Sequence, residues 1–398
     1  MEPHNNNEAE TPGTEERSSE WTECRARAEA IVEAGSYARI LEGFAGVPGL
    51  LPEMMEDLKR REAFLITEAP YLSEGDWKIL TCLELFDRAT FEHCERTWAL
   101  AKEKLESVAP VGIHFRELLA REGLSVDNIL RACLLHDCGK MCLDKQILND
   151  THTDLEWEMA NEAFCTRAYS ENVAGERVLE LKKYLGEHPG HRAIHKVPYK
   201  ALAELGDAER QMVERLKTKG FDTSLSLAAL IETHQERSGE TLATEDGDDS
   251  AAFLVANHHP KRFVAEEKYP IGLSVVRAGM TLSTELGRVL DVLRLSDIYD
   301  AYHSARVYKP GHPTLAALEY LMREADRGVI DPVVAREWVE DSVANLEKEE
   351  YFAQLTDHTE QKEHDGTLPK VELLRPEQLL DEEKIAREKL RARGILKF

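Results

Sequence analysis

The stretch LLHDCGKMCLDKQIL, residues 134–148, is an apolar run that delivers a histidine and an aspartate side by side, His136 and Asp137. Burying an imidazole beside a carboxylate is unfavourable unless a metal ion, a hydrogen-bond donor or a cation compensates the two groups. Upstream, Ser125 or Asp127 is suited to cap a helix that carries the run. The stretch therefore predicts a buried helix that ends at a polar pair.

This helix is expected to stop at Gly139, so that the pair lies in its last turn. Helical spacing of apolar residues, three and four apart, recurs from Trp21 onward. The segment 73–108 is long enough for two helices, and it begins with Ser73 as a cap. The sequence lacks the regular alternation of apolar and polar residues that a half-buried strand requires. These patterns predict an all-α fold.

Breaks in composition divide the chain into predicted regions. Residues 1–20 are polar and acidic, and we expect them to form a disordered tail. An N-terminal helical region follows over residues 21–72, and a larger helical domain over residues 73–340 carries the histidine-aspartate pair. A helical insertion in that domain is predicted at about residues 150–230, and a charged helical tail at residues 341–398.

The composition restricts the partners. Of the 398 residues, 50 are Lys or Arg and 75 are Asp or Glu, which gives a formal net charge of -25. Such a charge opposes non-specific binding to nucleic acid or to anionic membranes, so a small anionic substrate would need local cations or metals. The seven cysteines form no CxxC motif, and the N-terminus has no signal-peptide pattern. We therefore expect a soluble cytoplasmic protein.

Histidines and carboxylates recur within apolar helical segments. His93 lies in FEHCERTWALA, His258 and His259 follow AAFLVAN, and Asp297 lies in LRLSDIYDAY. For any single histidine, the alternative is an exposed residue or a core residue with one hydrogen bond. Together, neutral imidazoles and carboxylates from separate helices are the donors of a divalent metal site. Thiolates are absent from this set, which favours a hydrolytic or redox metal over a structural zinc ion.

In their order along the chain, these segments resemble the HD superfamily of metal-dependent phosphohydrolases, and most closely its HD-GYP branch, whose members hydrolyse cyclic dinucleotides. The resemblance runs from roughly residue 87 to residue 331. It implies a helical bundle of the HD type and two divalent metal ions, with iron or manganese favoured over magnesium or nickel. The ligands that it implies are His93, His136, Asp137, His234, His258, His259 and Asp297.

The resemblance also implies roles within this set. Asp137 would bridge both ions, His93, His136 and Asp297 would complete one side, and the remaining histidines would complete the other. Asp137 and Lys140 are the expected catalytic residues, since Lys140 would contact the substrate phosphate and offset charge in the transition state. A lysine that only complements a helix dipole is the alternative. Further expected substrate contacts are Tyr269, Arg306 and Lys309, of which the last two can instead form an exposed basic helix end.

Departures from the family pattern limit what the resemblance implies. Pro260 replaces the glutamate that follows the histidine pair in the family, and of the GYP motif only Tyr269 and Pro270, with the Gly-Leu beyond them, survive. These positions are implicated in substrate and partner contacts in the family, so the substrate stays open. Ala89 stands where members with a third metal carry glutamate, which predicts two metals.

One metal histidine is ambiguous because of the expected insertion. The separation of His136 from His258 exceeds that of compact family members, which is why an insertion is expected. His234, in LAALIETHQERSG, precedes the histidine pair and is followed by a glycine, whereas His188, in GEHPGHRAI, matches a local His-Pro pattern. We expect His234 to be the ligand, with His188 as the alternative.

The function that the resemblance implies is that of a metal-dependent phosphodiesterase acting on a cyclic dinucleotide of the cyclic di-GMP kind. Two alternatives stay open: an HD phosphohydrolase that acts on another nucleotide, and a catalytically weak regulator that binds a nucleotide or a partner protein. The expected ligand is a small anionic nucleotide. A homodimer or a signalling protein is a further candidate partner, whereas nucleic acid and membranes are not.

Overall fold

The computed structural model describes residues 19–33, 35–148, 207–245, 249–259, 284–304, 312–346 and 376–396. All regular elements over these ranges are helices, and no β-strand occurs among them, which confirms the predicted all-α class. Within the same ranges, every helix is too short or too polar to cross a bilayer. The predicted tail before residue 19 and residues 149–206 of the predicted insertion lie outside the described residues.

The first half of the chain contains nine α-helices and a short 3-10 helix among the described residues. In chain order they are α1 (Ser19–Val32), α2 (Tyr37–Ala45), α3 (Leu50–Arg61), α4 (Ala63–Glu68), α5 (Glu74–Phe86), α6 (Arg88–Glu106), α7 (Pro110–Arg121), α8 (Val126–Leu135), the 3-10 helix Cys138–Cys142 and α9 (Lys145–Leu148).

The described helices of the second half follow in the same numbering. They are α10 (Asp207–Thr218), α11 (Leu227–Glu232), α12 (His234–Glu245), α13 (Asp249–Ala256), α14 (Thr284–His303), α15 (Thr314–Asp326), α16 (Pro332–Leu346) and α17 (Pro376–Ala392). The helix α16 runs across residues 340 and 341, where the sequence suggested a boundary. The last helix, α17, packs against α15 and buries Leu390 completely.

Side-chain caps determine where the two helices before the histidine-aspartate pair begin. Ser73 accepts a hydrogen bond from the backbone N–H of Asp76, whose carboxylate accepts the N–H of Ser73 in return. Ser125 and Asn128 form the same reciprocal box at the start of α8. These contacts satisfy N–H groups that a helix start leaves without partners, and they confirm Ser73 and Ser125 as caps.

The end of α8 corrects the expectation drawn from Gly139. The α-helix stops at Leu135, and His136 and Asp137 lie in the turn between it and the 3-10 helix rather than in a last α-helical turn. The backbone N–H of Gly139 donates to the hydroxyl of Ser238 at 2.7 Å, so its partner comes from α12. Tertiary packing, which no local signal reports, therefore decides this helix end.

Gly139 is required because α12 lies directly against it. A Cβ atom there would lie 2.0 Å from the carbonyl oxygen of His234 and 2.5 Å from the backbone nitrogen of Ser238. No real side chain tolerates such distances. The glycine therefore lets the turn after α8 approach the first residue of α12 as closely as the backbones allow.

The helices that carry the predicted ligands form one packed group. α6 packs against α8 and α14, α13 packs against α8 and α12, and the 3-10 helix packs against α12 and α5. Phe91, Leu134, Leu254 and Leu293 are fully buried among them. Apolar burial on this scale is the dominant favourable term in folding, and it holds these helices around one point.

Buried ion pairs join the N-terminal helices to this group. The carboxylate of Glu84 on α5 accepts from Arg25, Arg61 and Arg88, at 3.0, 3.2 and 3.3 Å. These arginines belong to α1, α3 and α6. Because a buried carboxylate is stable only when it is paired, this network links four helices through one side chain.

Candidate metal centre

The structure brings all of the predicted ligands that it describes to one point. They come from α6, from the turn after α8, from the start of α12, from the two residues after α13, and from α14: His93, His136, Asp137, His234, His258, His259 and Asp297. Two donor groups stand out within this set, and in each the donor atoms lie within 4.8 Å of one another.

We call the first group the carboxylate side, and it consists of His93, His136 and Asp297. The Nε2 atom of His93 lies 3.0 Å from Oδ1 of Asp297 and 3.7 Å from Oδ2 of Asp137. The Nε2 atom of His136 lies 3.5 Å from the same oxygen of Asp137 and 3.8 Å from Oδ1 of Asp297. In each of these contacts a ring nitrogen therefore lies 3.0–3.8 Å from a carboxylate oxygen.

We call the second group the imidazole side, and it consists of His234, His258 and His259. The Nε2 atoms of His234 and His258 lie 3.1 Å apart. The ring centroids of His258 and His259 are separated by 4.2 Å, and Nδ1 of His259 lies 3.9 Å from Oδ2 of Asp297. This group offers only nitrogen donors.

Asp137 lies between the two sides. Its Oδ2 faces His93 and His136, whereas its Oδ1 lies 3.0 Å from Nε2 of His234 and 3.9 Å from Nε2 of His258. Lys140 donates to Oδ2 at 2.5 Å. Burial alone would raise the pKa of Asp137, but Lys140 and His136 outweigh that effect and hold it well below its usual value. Asp137 is therefore an ionised carboxylate with one oxygen toward each side.

Backbone carbonyls orient three of the imidazoles. Nδ1 of His136 donates to the carbonyl of Cys133 at 2.8 Å, and Nδ1 of His258 donates to that of Val255 at 2.5 Å. The Nδ1 atom of His234 has an equivalent contact with the carbonyl of Ile231. A carbonyl only accepts, so the proton of each neutral ring resides on Nδ1, and the Nε2 lone pair points into the centre.

The inward lone pairs provide a test of whether a metal fits. Nε2 of His136 is fully buried and has no hydrogen-bond partner among the described residues. The Nε2 atoms of His234 and His258 are both acceptors in this tautomer, so their 3.1 Å separation is not a hydrogen bond. Opposed lone pairs in a buried site are stable when a cation lies between them. The donor set therefore fits a metal ion.

The charge states of His136, His258 and Asp297 are those that a metal requires. Burial lowers the pKa of His136, and burial together with His259 lowers the pKa of His258 well below its usual value. Burial would raise the pKa of Asp297, but its contact with the His93 imidazole outweighs that effect and holds it well below its usual range. A neutral imidazole and an ionised carboxylate are the ligand forms of these side chains.

Asp300 is a further residue of the candidate centre, and the sequence reasoning missed it. Its Oδ2 accepts from Nδ1 of His93 at 2.6 Å, and its carboxylate is held in turn by Arg96, at 2.7 and 3.1 Å, and by the hydroxyl of Ser304 at 2.7 Å. A carboxylate behind a ligating histidine sets the ring orientation and tautomer. The signal was present, because Asp300 lies one helical turn after Asp297 and so on the same face of α14.

Two other contributors were also missed. Arg294 on α14 donates to the carbonyls of Asn257 and His258, at 2.9 and 3.2 Å, and so fixes the chain that carries the histidine pair. Cys94 offers a sulfur within 4.8 Å of donor atoms of His136 and Asp137. The donor set expected from the sequence contains no thiol, and the structure adds the sulfur of Cys94 to the candidate donors.

Exposure to solvent differs among the residues of the centre. The side chain of His259 is 38% exposed, whereas Lys140 is 13% exposed and His136 and His258 are completely buried. Solvent therefore reaches the imidazole side more readily than the carboxylate side.

Several predicted residues lie outside the described part of the chain. They are His188, Pro260, Tyr269, Pro270, Arg306 and Lys309. His234 lies within the cluster, but its preference over His188 stays a prediction. The expected substrate contacts of Tyr269, Arg306 and Lys309 also stay predictions.

Comparison of the chain with protein-family models, curated proteins and solved structures found no match. The class of protein is therefore defined by fold and site alone. It is an all-α protein whose buried histidines, aspartates and cysteine can hold a metal ion.

Proposed function

We propose that the chain is a metal-dependent phosphohydrolase of the HD type that hydrolyses a phosphodiester bond of a cyclic dinucleotide, with cyclic di-GMP as the reference substrate. One observation carries the proposal: separate helical segments converge on Asp137, which presents one carboxylate oxygen to each of two donor groups. This is the arrangement that a dinuclear centre needs.

The proposed cofactor is a pair of divalent ions, with iron or manganese favoured and magnesium or nickel as alternatives. His93, His136 and Asp297 would hold one ion, the imidazole side would hold the other, and Asp137 would contact both. When bound, such a pair supplies Lewis acidity toward phosphate oxygens and lowers the pKa of a water molecule for attack on phosphorus. The buried neutral rings exclude bulk water from these positions.

The chain's own residues provide the remaining elements of the proposal. Lys140 is held against Asp137 and is 13% exposed, so its ammonium can offset negative charge on a substrate phosphate. The chain has a net charge of -25, so an anionic substrate requires a local cation such as Lys140. Tyr269, Arg306 and Lys309 are the proposed further contacts.

A cytoplasmic location belongs to the same proposal. Cys24, Cys82, Cys94, Cys133, Cys138 and Cys142 are all free thiols, which is typical of proteins in a reducing compartment. A homodimer or a signalling partner protein stays a proposal that the N-terminal helices would serve.

The test is a substrate panel with defined metals. The protein is purified without oxygen, its metal content is measured, and cyclic dinucleotides, mononucleotides and simple phosphodiesters are assayed with Mn²⁺ and with Fe²⁺. We expect close to two ions per chain and turnover of a cyclic dinucleotide. Asp297→Asn should strongly reduce turnover in a folded protein. Asp57→Asn is the matched control, because Asp57 is a buried carboxylate on α3 that pairs with Arg60 and Arg61.

Each outcome of the panel separates the alternatives. Turnover of a mononucleotide alone would favour an HD phosphohydrolase of different specificity. Tight binding of a nucleotide without turnover would favour a regulator. Full hydrolytic activity in protein shown to be metal-free would overturn the proposal.

A further inference from the structure

A sulfur atom lies beside the carboxylate side of the centre. Cys94, His136 and Asp137 form a third donor group in which the ligand atoms lie within 4.8 Å of one another. Cys94 follows His93 on α6 and is fully buried. The other fully buried cysteines of α5 and α8, Cys82 and Cys133, belong to no such group among the described residues.

Cys94 lies among charged groups rather than in a purely apolar pocket. Burial and the Asp137 carboxylate raise the pKa of its thiol well above the usual value, against the opposing charge of Lys140 and the backbone N–H of Asp137. The sulfur is therefore a neutral thiol until a cation binds. Nε2 of His136, from the same donor group, has no hydrogen-bond partner among the described residues. A cation at this point would take up the imidazole lone pair and displace the thiol proton.

We propose that Cys94 is a sulfur ligand on the carboxylate side of the centre, and that this side therefore selects a borderline-soft divalent ion such as Fe²⁺, Co²⁺ or Zn²⁺ over Mn²⁺ or Mg²⁺. The inference rests on the metal-binding part of the proposed function and is independent of the substrate.

The selectivity follows from ligand chemistry. Thiolate and imidazole donors favour iron, cobalt and zinc, whereas oxygen donors suit magnesium and manganese. When the metal-sulfur bond forms, the thiol releases its proton to solvent, because only the thiolate coordinates. The carboxylate side then contains sulfur, nitrogen and oxygen donors, while the imidazole side lacks sulfur. Of the two favoured metals, iron rather than manganese fits the carboxylate side.

Cobalt provides a direct readout of the sulfur ligand. The full-length protein is freed of metal with a chelator and titrated with Co²⁺ without oxygen, and the near-ultraviolet charge-transfer absorption from sulfur to cobalt is recorded. We expect the band in the wild type, its loss in Cys94→Ser with cobalt still bound, and its retention in Cys82→Ser. Cys82 is an equally buried cysteine outside the donor groups and serves as the matched control.

Two results would overturn the inference. One is cobalt bound by the wild type without the band, and the other is a band that persists in Cys94→Ser. If Cys94→Ser fails to fold by circular dichroism, X-ray absorption of the cobalt-loaded wild type decides, since a shell of nitrogen and oxygen alone excludes the sulfur. A protein that shows the band but hydrolyses no phosphoester retains this inference and loses the proposed function.

Discussion

The two sides of the centre differ in charge, burial and support. The carboxylate side contains Asp297, is less than a tenth exposed, and is backed by Asp300 with its arginine, Arg96. The imidazole side contains only nitrogen donors, is backed by backbone carbonyls, and reaches solvent at His259. The same fold therefore builds one closed site that contains a carboxylate and one more exposed site of imidazoles, on the two sides of Asp137.

This difference predicts that ions bound on the two sides would differ in affinity and in Lewis acidity. Anionic ligands offset the charge of a bound cation, so an ion on the carboxylate side would be held more tightly and would be less acidic toward other groups. An ion held mainly by imidazoles keeps more of its positive charge, and it lies on the side that solvent reaches. If the chain has the proposed function, substrate phosphate would therefore meet the imidazole side first.

Asp137→Asn should have the largest effect, because Asp137 is the carboxylate that faces both sides. We expect turnover to fall by about a thousandfold or more, since removing the shared charge removes several kcal/mol of metal-dependent stabilisation. Both ions should bind more weakly, whereas Asp297→Asn should weaken mainly the carboxylate side. Metal content and kcat of the two variants measure this, and wild-type binding of two ions by Asp137→Asn would contradict it.

Gly139→Ala tests the close contact between the turn after α8, which carries Asp137, and the start of α12, which carries His234. The new Cβ would lie 2.0 Å from the carbonyl oxygen of His234, so the turn after α8 and the start of α12 must separate. We expect a loss of about 3 kcal/mol in the free energy of unfolding, as for other overpacked cores.

The control for this substitution is Gly287→Ala on α14, where nothing lies within 4 Å of an added Cβ. There we expect a gain of roughly 0.5–1 kcal/mol, because alanine restricts the unfolded chain and favours the helix. Urea unfolding measures both changes. Equal effects of the two substitutions would show that the contact with α12 is not tight.

Asp300→Asn should weaken the carboxylate side alone. The substitution keeps the shape of the side chain but removes the charge that orients His93, and such changes typically cost about 10–100-fold in metal affinity. Competition with a chelator should show one weakened binding step and one unchanged step. Ser304→Ala, which removes a hydroxyl donor to Asp300 without touching His93, should have a smaller effect. Equal weakening of both steps would contradict the assignment.

Residue type and helical spacing were sufficient to predict much of this architecture. Ser73 and Ser125 are local caps, and their effect depends on neighbours three residues away. His93, His136, Asp137, His258, His259 and Asp297 could be recognised as candidates because imidazoles and carboxylates in apolar helices are unfavourable without a partner, whereas His234 was expected only from the family resemblance. Each such side chain can be recognised from its own apolar segment, without knowledge of the other segments.

The rest of the centre depends on contacts between segments that are distant in sequence. The end of α8 at Leu135 follows from the approach of α12, and Arg294 matters only because α14 passes the carbonyls of Asn257 and His258. Cys94 follows the predicted ligand His93 in sequence, but only the folded structure shows that its sulfur lies near Asp137. The periodicity of apolar residues within one segment gives no information on distances between segments.

The smallest expected difference between the two sides is in the pH dependence of the free energy of unfolding. Burial lowers the pKa of both His136 and His258. At His136, Asp137 and Asp297 oppose the shift more than His93 deepens it, whereas at His258 the imidazoles of His259, His136 and His234 deepen it more than Asp137 opposes it. A histidine whose folded pKa is lowered stays neutral in the native state while the unfolded chain takes up a proton. Its stabilising contribution is therefore present above the unfolded pKa and is lost as the pH falls below about 6.5.

For the metal-free protein, we expect His258 to account for a loss of about 1.4 kcal/mol per pH unit below about pH 6.5. His258→Gln should make the slope of unfolding free energy against pH shallower by about this amount, and His136→Gln should change it less, because carboxylates moderate its shift. Urea unfolding between pH 7 and pH 5 in the presence of a chelator measures both slopes. If the His136 variant changed the slope more, the carboxylate side would be the more proton-sensitive of the two, and the electrostatic contrast between the sides would be reversed.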